Sequence, residues 1–276
     1  MKIVILYSSG LDSKIMKRYA EVKYPLAEVK CIYYAHGAES EEQEISLLPD
    51  FVEVRKIDWL GDKIKAVAKK EDPFAGAIYI PGRNLIFSAL AACQEIADEI
   101  WMGTLWDEDN PKGTDKNATF RNLTSGVLSY VLSPFIDNVT VRFPFVEEKW
   151  SKQHAVEWAL KNGLNAEEVM NTVSCWHYHG DKPCGKCKQC FKRNMVLFMN
   201  KAAEEYQNDV VASNEDLAAG YIQAALDGTN NRDELNVAYM LLVYNGYRAT
   251  RLLDISVYGQ LLSTVRAKLD RAKQDS

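Results

Sequence analysis

A continuous apolar run, Ile3–Tyr7, breaks directly into Ser8-Ser9-Gly10-Leu11-Asp12-Ser13, and a helical pattern follows from about Lys14. Ile15, Met16, Tyr19 and Ala20 share one side of that helix. An uninterrupted apolar strand is one buried on both faces, as in the centre of a parallel sheet. A strand that turns through small residues into a helix is the opening unit of a strand–helix–strand crossover. The same alternation continues. Val29–Tyr34 reads as a second strand, and Val52, Val54 and Ile57 mark a third. Residues 84–98 carry Leu85, Ile86, Ala89, Leu90, Cys93, Ile96 and Ala97 on one wide face, a buried helix, and Ile100–Thr104 reads as a fourth strand. The expected fold is α/β, an open parallel sheet of the five-stranded type with helices on both faces. Ligands bind such sheets at the carboxyl ends of the strands. The loops after Tyr7, Tyr34 and Thr104 are therefore the ones that carry function.

Beyond about Asn200 the strand signals fade. Ser213-Asn-Glu-Asp216 is a capping-box pattern opening a helix toward Asp227, with Gly228 as its stop. A second helix is expected from about Asp233 to Tyr244 and a third from about Thr250 to the end. The predicted division is a catalytic unit over 1–199, with a metal segment at 174–193, and a helical extension over 200–276.

The chain has 276 residues, with 33 Lys and Arg against 38 Asp and Glu, a formal net charge of −5. That balance argues against a chain held mainly by nucleic-acid phosphates, so stable nucleic-acid binding is not expected. The N-terminal apolar run is too short for a signal or a membrane span, and no run of 18 apolar residues occurs. A cytoplasmic protein with no membrane partner is the expectation.

Three sets of residues carry chemistry. In the first loop, small residues allow close backbone approach, and helix-start amides with the hydroxyls of Ser8, Ser9 and Ser13 form an anion cradle. Asp12 beside a phosphate calls for an intervening cation and is assigned to Mg²⁺. The alternative is an ordinary turn in which Asp or Ser caps the helix. The second set is Cys175, Cys184, Cys187 and Cys190, all within 16 residues, whereas Cys31 and Cys93 lie alone in apolar segments. The spacing C-x8-C-x2-C-x2-C suits a structural four-thiolate Zn²⁺ site, with an iron–sulfur cluster as its rival. Lys182, Lys186, Lys188, Lys192 and Arg193 are available to offset the thiolate charge. His177 and His179 read as loop or substrate-contacting residues. The third set is Arg83 and Asn84 at a helix start. Arg83 can pair with a phosphate or carboxylate, and Asn84 can cap the helix or meet a nucleobase edge. Trp101 and Trp106 flank a strand end and suit either base stacking or the core, and His36 and His154 read as packed or surface histidines.

The loop resembles the SGGxDS signature of the PP-loop ATP pyrophosphatases, with Ser9 where that signature has its first glycine. The cysteine spacing followed by Arg193, Ser174-Cys175, the segment Pro81-Gly-Arg-Asn-Leu-Ile-Phe87 and Gly103 resemble the 7-cyano-7-deazaguanine synthase (QueC/ExsB) family over roughly residues 1–198. The chain reads as a divergent member. Tyr34-Ala-His-Gly37-Ala-Glu-Ser-Glu replaces the family's Gly-Gln-Arg-His run, although Gly37 and Glu44 fit. Asp107-Glu-Asp-Asn-Pro-Lys-Gly-Thr-Asp115 replaces its aromatic and cysteine-bearing substrate loop. The helical tail is longer than the family's.

The resemblance implies ATP held by Ser8, Ser9, Gly10, Leu11, Asp12 and Ser13, with Asp12 and Arg83 as catalytic residues. Arg83, Asn84, Asp107, Glu108 and Asp115 are the implied substrate-binding residues, one of the three acids accepting the N–H edge of a guanine-like ring. The implied cofactors are structural Zn²⁺, Mg²⁺ and ATP. The implied reaction converts 7-carboxy-7-deazaguanine and ammonium, through an acyl adenylate, to 7-cyano-7-deazaguanine. It would serve queuosine-type or DNA modification, the latter as in viruses that carry deazaguanines. A homodimer is also implied. Alternatives are a ligase stopping at the amide, a PP-loop enzyme acting on RNA, and a non-catalytic binding subunit.

Overall fold

The computed structural model describes residues 1–37, 41–57, 60, 82–109, 115–175, 177, 182–248 and 255–275. Pro81, His179, Thr250 and residues 110–114 of the acidic loop lie outside the described residues. Five parallel strands form one sheet in the order β3-β2-β1-β4-β5. They are β1 (Lys2–Leu6), β2 (Glu28–Ala35), β3 (Val52–Lys56), β4 (Glu99–Trp101) and β5 (Thr140–Arg142). The short helices among the described residues are α2 (Glu41–Ser46), α5 (Pro144–Glu147), α6 (Lys152–Lys161) and α7 (Ala166–Met170), and the longer ones are numbered with them in chain order. The chain winds outward from β1 to β3, then returns to lay β4 on the other side of β1. That reversal opens a crevice at the carboxyl ends of β1 and β4, where such sheets bind ligands.

Ile3, Val4 and Ile5 of β1 are fully buried, as a central strand requires. Successive side chains alternate between faces. Val4 packs into a core with Ala91 and Ala92 of α3 (Arg83–Glu95) and Leu128 and Leu132 of α4 (Ala118–Leu132). On the other face α1 (Leu11–Lys23) buries Leu11, Ile15, Met16 and Tyr19. Each of these large apolar side chains contributes about 1.5–3 kcal/mol by leaving water. The outer edge of the sheet is closed by α4. Ser125 Oγ accepts from Val141 N at 2.9 Å, and Ser129 Oγ accepts from Val139 N at 2.9 Å. Those amides would otherwise offer an open pairing edge.

The sequence expectation of a parallel sheet with helices on both faces holds. β4 is shorter than the apolar run Ile100–Thr104 suggests: it ends at Trp101, with Met102 N still donating to Arg142 O at 3.0 Å before the chain turns away at Gly103. Trp101 and Trp106 are buried core residues. Trp101 Nε1 donates to Glu99 Oε2 at 2.6 Å, and its ring lies 5.4 Å from that of Tyr24.

Two compact units are present. The first is 1–148 with 158–173; the second is 149–157 with 174–276. The cysteine segment therefore groups with the C-terminal helices, whereas the sequence division placed it with the catalytic unit. Within the second unit α8 (Lys188–Met199) packs on α9 (Glu215–Leu226) and α10 (Arg232–Arg248). Phe191 stacks on Tyr221 at 6.3 Å, Phe198 meets Tyr244 edge-on at 4.7 Å, and Lys192 pairs with Asp233 at 2.5 Å. α11 (Ile255–Asp275) completes the unit. The expected Ser213–Asp216 capping box does not form. Ala212–Asn214 is a 3₁₀ turn, and the side chain of Asn214 donates to Gly185 O and Val210 O instead. No helix among the described residues is long and apolar enough to cross a membrane.

Candidate active site and metal centre

The loop after β1 is folded by its own hydroxyls. Ser8 Oγ accepts from Gly10 N at 3.1 Å. Ser13 Oγ lies within donating distance of Ser8 O at 2.5 Å and Gly10 O at 2.9 Å. Ser13 thus ties the start of α1 back to the loop carbonyls. Gly10 stands at the N-terminus of α1 and provides no side-chain cap; a helix start of this kind favours an anion. A Cβ at Gly10 would come within 2.9 Å of Ser8 Oγ and push that hydroxyl off the Gly10 amide. Ser9 O accepts from Val173 N at 2.9 Å, while Ser9 Oγ is buried with no hydrogen-bond partner among the described residues.

Asp12 stands in the first turn of α1, and its Oδ1 is buried. Gly103, just past β4, lies against it. A Cβ at Gly103 would approach Asp12 Cβ to 3.2 Å. The β1/β4 crevice thus has Asp12 on one lip and a strand end kept bare on the other. After β2, His36 is packed. Its Nδ1 lies 2.8 Å from Tyr34 O and its ring 5.3 Å from Phe87. Glu41 holds this loop by accepting from the amides of His36 and Gly37, a role that sequence reasoning missed.

Arg83 and Asn84 open α3 behind Gly82, which takes a left-handed φ of 73° and supplies no side-chain cap. Asn84 does not cap the helix. Its Nδ2 donates to Asp115 O at 3.2 Å and ties the start of α3 to the acidic loop. Glu108 is held by Lys116 at 3.0 Å and by Leu105 N at 3.3 Å, so its carboxylate is committed to the loop's own structure. Asp107 is buried nearby in sequence.

Cys175, Cys184, Cys187 and Cys190 are all buried, and their sulfurs lie within 4.8 Å of one another. Cys184 and Cys190 are 3.9 Å apart, and Cys187 and Cys190 3.5 Å. Thiolates about 2.3 Å from one tetrahedral ion are about 3.8 Å apart, so the spacing fits a single metal ion. A four-iron cluster takes one thiolate at each of four separate irons and spreads the sulfurs more widely. Amides of Cys184, Lys186 and Cys190 donate to Cys175, Cys184 and Cys187 sulfur at 3.3, 3.4 and 3.5 Å. These donors stabilise thiolate charge. The neighbouring cations do less of this than expected, because Lys182, Lys192 and Arg193 pair with Glu205, Asp233 and Glu204. Hydrogen bonding to Cys187, together with burial, pushes the Cys175 thiol up to about 12, as befits a site that needs a cation to ionise.

The family model of the queuosine biosynthesis protein QueC matches residues 2–201. The chain belongs to the QueC family. This family match ends at 201, while the compact units divide at 173/174. The chain is similar to 7-cyano-7-deazaguanine synthase 2 of Sulfurisphaera tokodaii, 24% identical over 75% of this chain and 48% of that protein. It is also similar to the 7-cyano-7-deazaguanine synthase of Methanobrevibacter smithii, 24% identical over 71% of this chain and 92% of that protein. The Sulfolobus acidocaldarius synthase is 25% identical over 75% and 48%. The chain thus spans about half the length of the Sulfurisphaera and Sulfolobus relatives and nearly all of the Methanobrevibacter one. Among solved structures it is similar to the U34-tRNA thiolase NcsA of Methanococcus maripaludis with its [4Fe-4S] cluster. That likeness has 12% identity and a TM-score of 0.35, covering 95% of this chain and 73% of that one.

Proposed function

We propose that this QueC-family chain converts 7-carboxy-7-deazaguanine and ammonium to 7-cyano-7-deazaguanine at the expense of ATP. The observation that carries the reading is Asp12 packed against bare Gly103 at the β1/β4 crevice, within a family match over residues 2–201. A carboxylate at neutral pH is inert to amines. Its oxygen attacks the α-phosphorus of ATP, the α–β bridge breaks, and an acyl adenylate and pyrophosphate form. Ammonia adds to the acyl carbon, AMP leaves with the former carboxylate oxygen, and the amide results with loss of a proton. The amide oxygen then attacks a second ATP with release of a second pyrophosphate, and departure of AMP with loss of both amide protons gives the nitrile.

The loop after β1, with the N-terminus of α1, holds the leaving pyrophosphate, and Arg83 neutralises phosphate or carboxylate charge. Asp12 is the residue that would hold Mg²⁺, which when bound offsets charge on the phosphate oxygens. Asn84 fixes Asp115 beside the ring of the substrate. These are positioning and electrostatic roles. The four cysteines would hold Zn²⁺ with every coordination position closed, a structural role.

Incubation with ATP, Mg²⁺, ammonium and the carboxylic acid, followed by mass spectrometry, tests the reading. The nitrile, AMP and pyrophosphate are expected. The amide alone would limit the reaction to its first half, and ADP or an unaltered base would contradict the proposal.

A further inference from the structure

A cavity of about 320 Å³ lies beside the phosphate loop, on the α1 side of the first unit. Tyr7, Ser9, Lys14, Pro49, Asn171 and Thr172 are among its walls. Two of these groups lack the partners that their neighbours have. Ser9 is 4% exposed, and its Oγ has no hydrogen-bond partner among the described residues. A buried hydroxyl without a partner costs free energy that a ligand can restore. Lys14 forms no ion pair among the described residues, whereas Lys17 and Lys23 of the same helix pair with Glu21 at 2.5 Å and Glu148 at 3.8 Å. Glu168, the carboxylate that acts on Lys14 from a distance, is held in the capping box of the helix Ala166–Met170, where it accepts from Asn165 N at 2.8 Å. Partial burial lowers the Lys14 ammonium from its ordinary value, so it gains from an anionic neighbour.

A buried hydroxyl and an ammonium on one small cavity, with no carboxylate among the described residues of its walls, select a compact anion. We propose that this cavity takes pyrophosphate as it leaves the loop, with Lys14 Nζ and Ser9 Oγ as its binding groups. The inference rests on the ATP-cleaving reading above. It assigns product release to a pocket behind the loop, separate from the β1/β4 crevice where the nucleoside and acid react. Lys14 then sets how tightly the product is retained.

Calorimetric titration of the full chain with pyrophosphate, and separately with AMP, tests it. Lys14→Met should weaken pyrophosphate binding about tenfold or more, and Ser9→Gly should weaken it severalfold. Lys14→Arg should keep most of the affinity, AMP binding should be unchanged, and Lys17→Met should behave as the wild type. In turnover, Lys14→Met should relieve inhibition by added pyrophosphate by the same factor as it weakens binding. Wild-type pyrophosphate affinity in a folded Lys14→Met chain, or equal losses for AMP and pyrophosphate, would overturn the assignment. AMP production with pyrophosphate affinity independent of Lys14 would remove the pocket and leave the reaction standing. Lys14-dependent pyrophosphate binding without AMP production would remove the reaction and leave an anion pocket with no product to release.

Discussion

Asp12 and Gly103 meet across the crevice with no room for a further carbon, since a Cβ at Gly103 would stand 3.2 Å from Asp12 Cβ. Gly103→Ala should displace Asp12 by a few tenths of an ångström and lower the rate of AMP formation by about tenfold or more, with little change in thermal midpoint. Asp12→Asn removes the charge and keeps the shape. It should lower AMP formation by about 10²–10³, and circular dichroism should show an unchanged fold. Unaltered turnover in Asp12→Asn would remove the loop from the chemistry. Asp12, Gly10 and the four cysteines were legible in the sequence because their residue types and spacing have few other uses. Glu41 and Lys14 were not, because an acid or a lysine on a helix is usually solvated. Only the folded chain shows one capping the β2 loop and the other lining a cavity.

At the scale of elements, the four-cysteine segment is clamped by residues 207–214. Asn208 Nδ2 donates to Cys184 O at 2.8 Å, Gln207 N to Pro183 O at 2.9 Å and Asn214 Nδ2 to Gly185 O at 3.0 Å. Gly185 has a φ of 75°, and a Cβ there would stand 2.4 Å from Asn208 O. Gly185→Ala should therefore destabilise the second unit by several kcal/mol, read as a lower thermal midpoint and a lower metal content by elemental analysis. Stripping metal with a chelator should lower the same midpoint, and re-addition of Zn²⁺ should restore it. Equal midpoints with and without chelator would deny the metal a structural role. The strands β1 and β2 were legible from their unbroken apolar runs. β5 was not, because three residues with only Val141 fully buried carry no periodicity. The clamp was illegible because side-chain amides binding carbonyls leave no pattern in composition, and the same Asn214 read as part of a capping box.

At the scale of the whole molecule, the C-terminal helix is tied into its unit through His154. Lys273 Nζ lies 3.0 Å from His154 Nε2, Ser151 Oγ lies 2.7 Å from Nδ1, and Lys149 Nζ donates to Lys273 O at 2.7 Å. Burial, and then the Lys273 charge, hold the His154 pKa down at about 4 from an ordinary 6.5, with Glu157 opposing. A depressed histidine favours the folded state fully above about pH 6.5, and that contribution is lost as pH falls toward 4. The loss amounts to up to about 3 kcal/mol at the low end. Thermal midpoints across this window should fall more steeply in the wild type than in His154→Gln. Parallel slopes would show that His154 is not buried neutral.

In the proposed reaction a carboxylate oxygen becomes bonded to the α-phosphorus of ATP. Supplying the acid with ¹⁸O in both carboxylate oxygens and weighing the AMP tests it most directly. Each AMP released on the way to the nitrile should carry one ¹⁸O. Unlabelled AMP, or ADP with labelled phosphate, would contradict it.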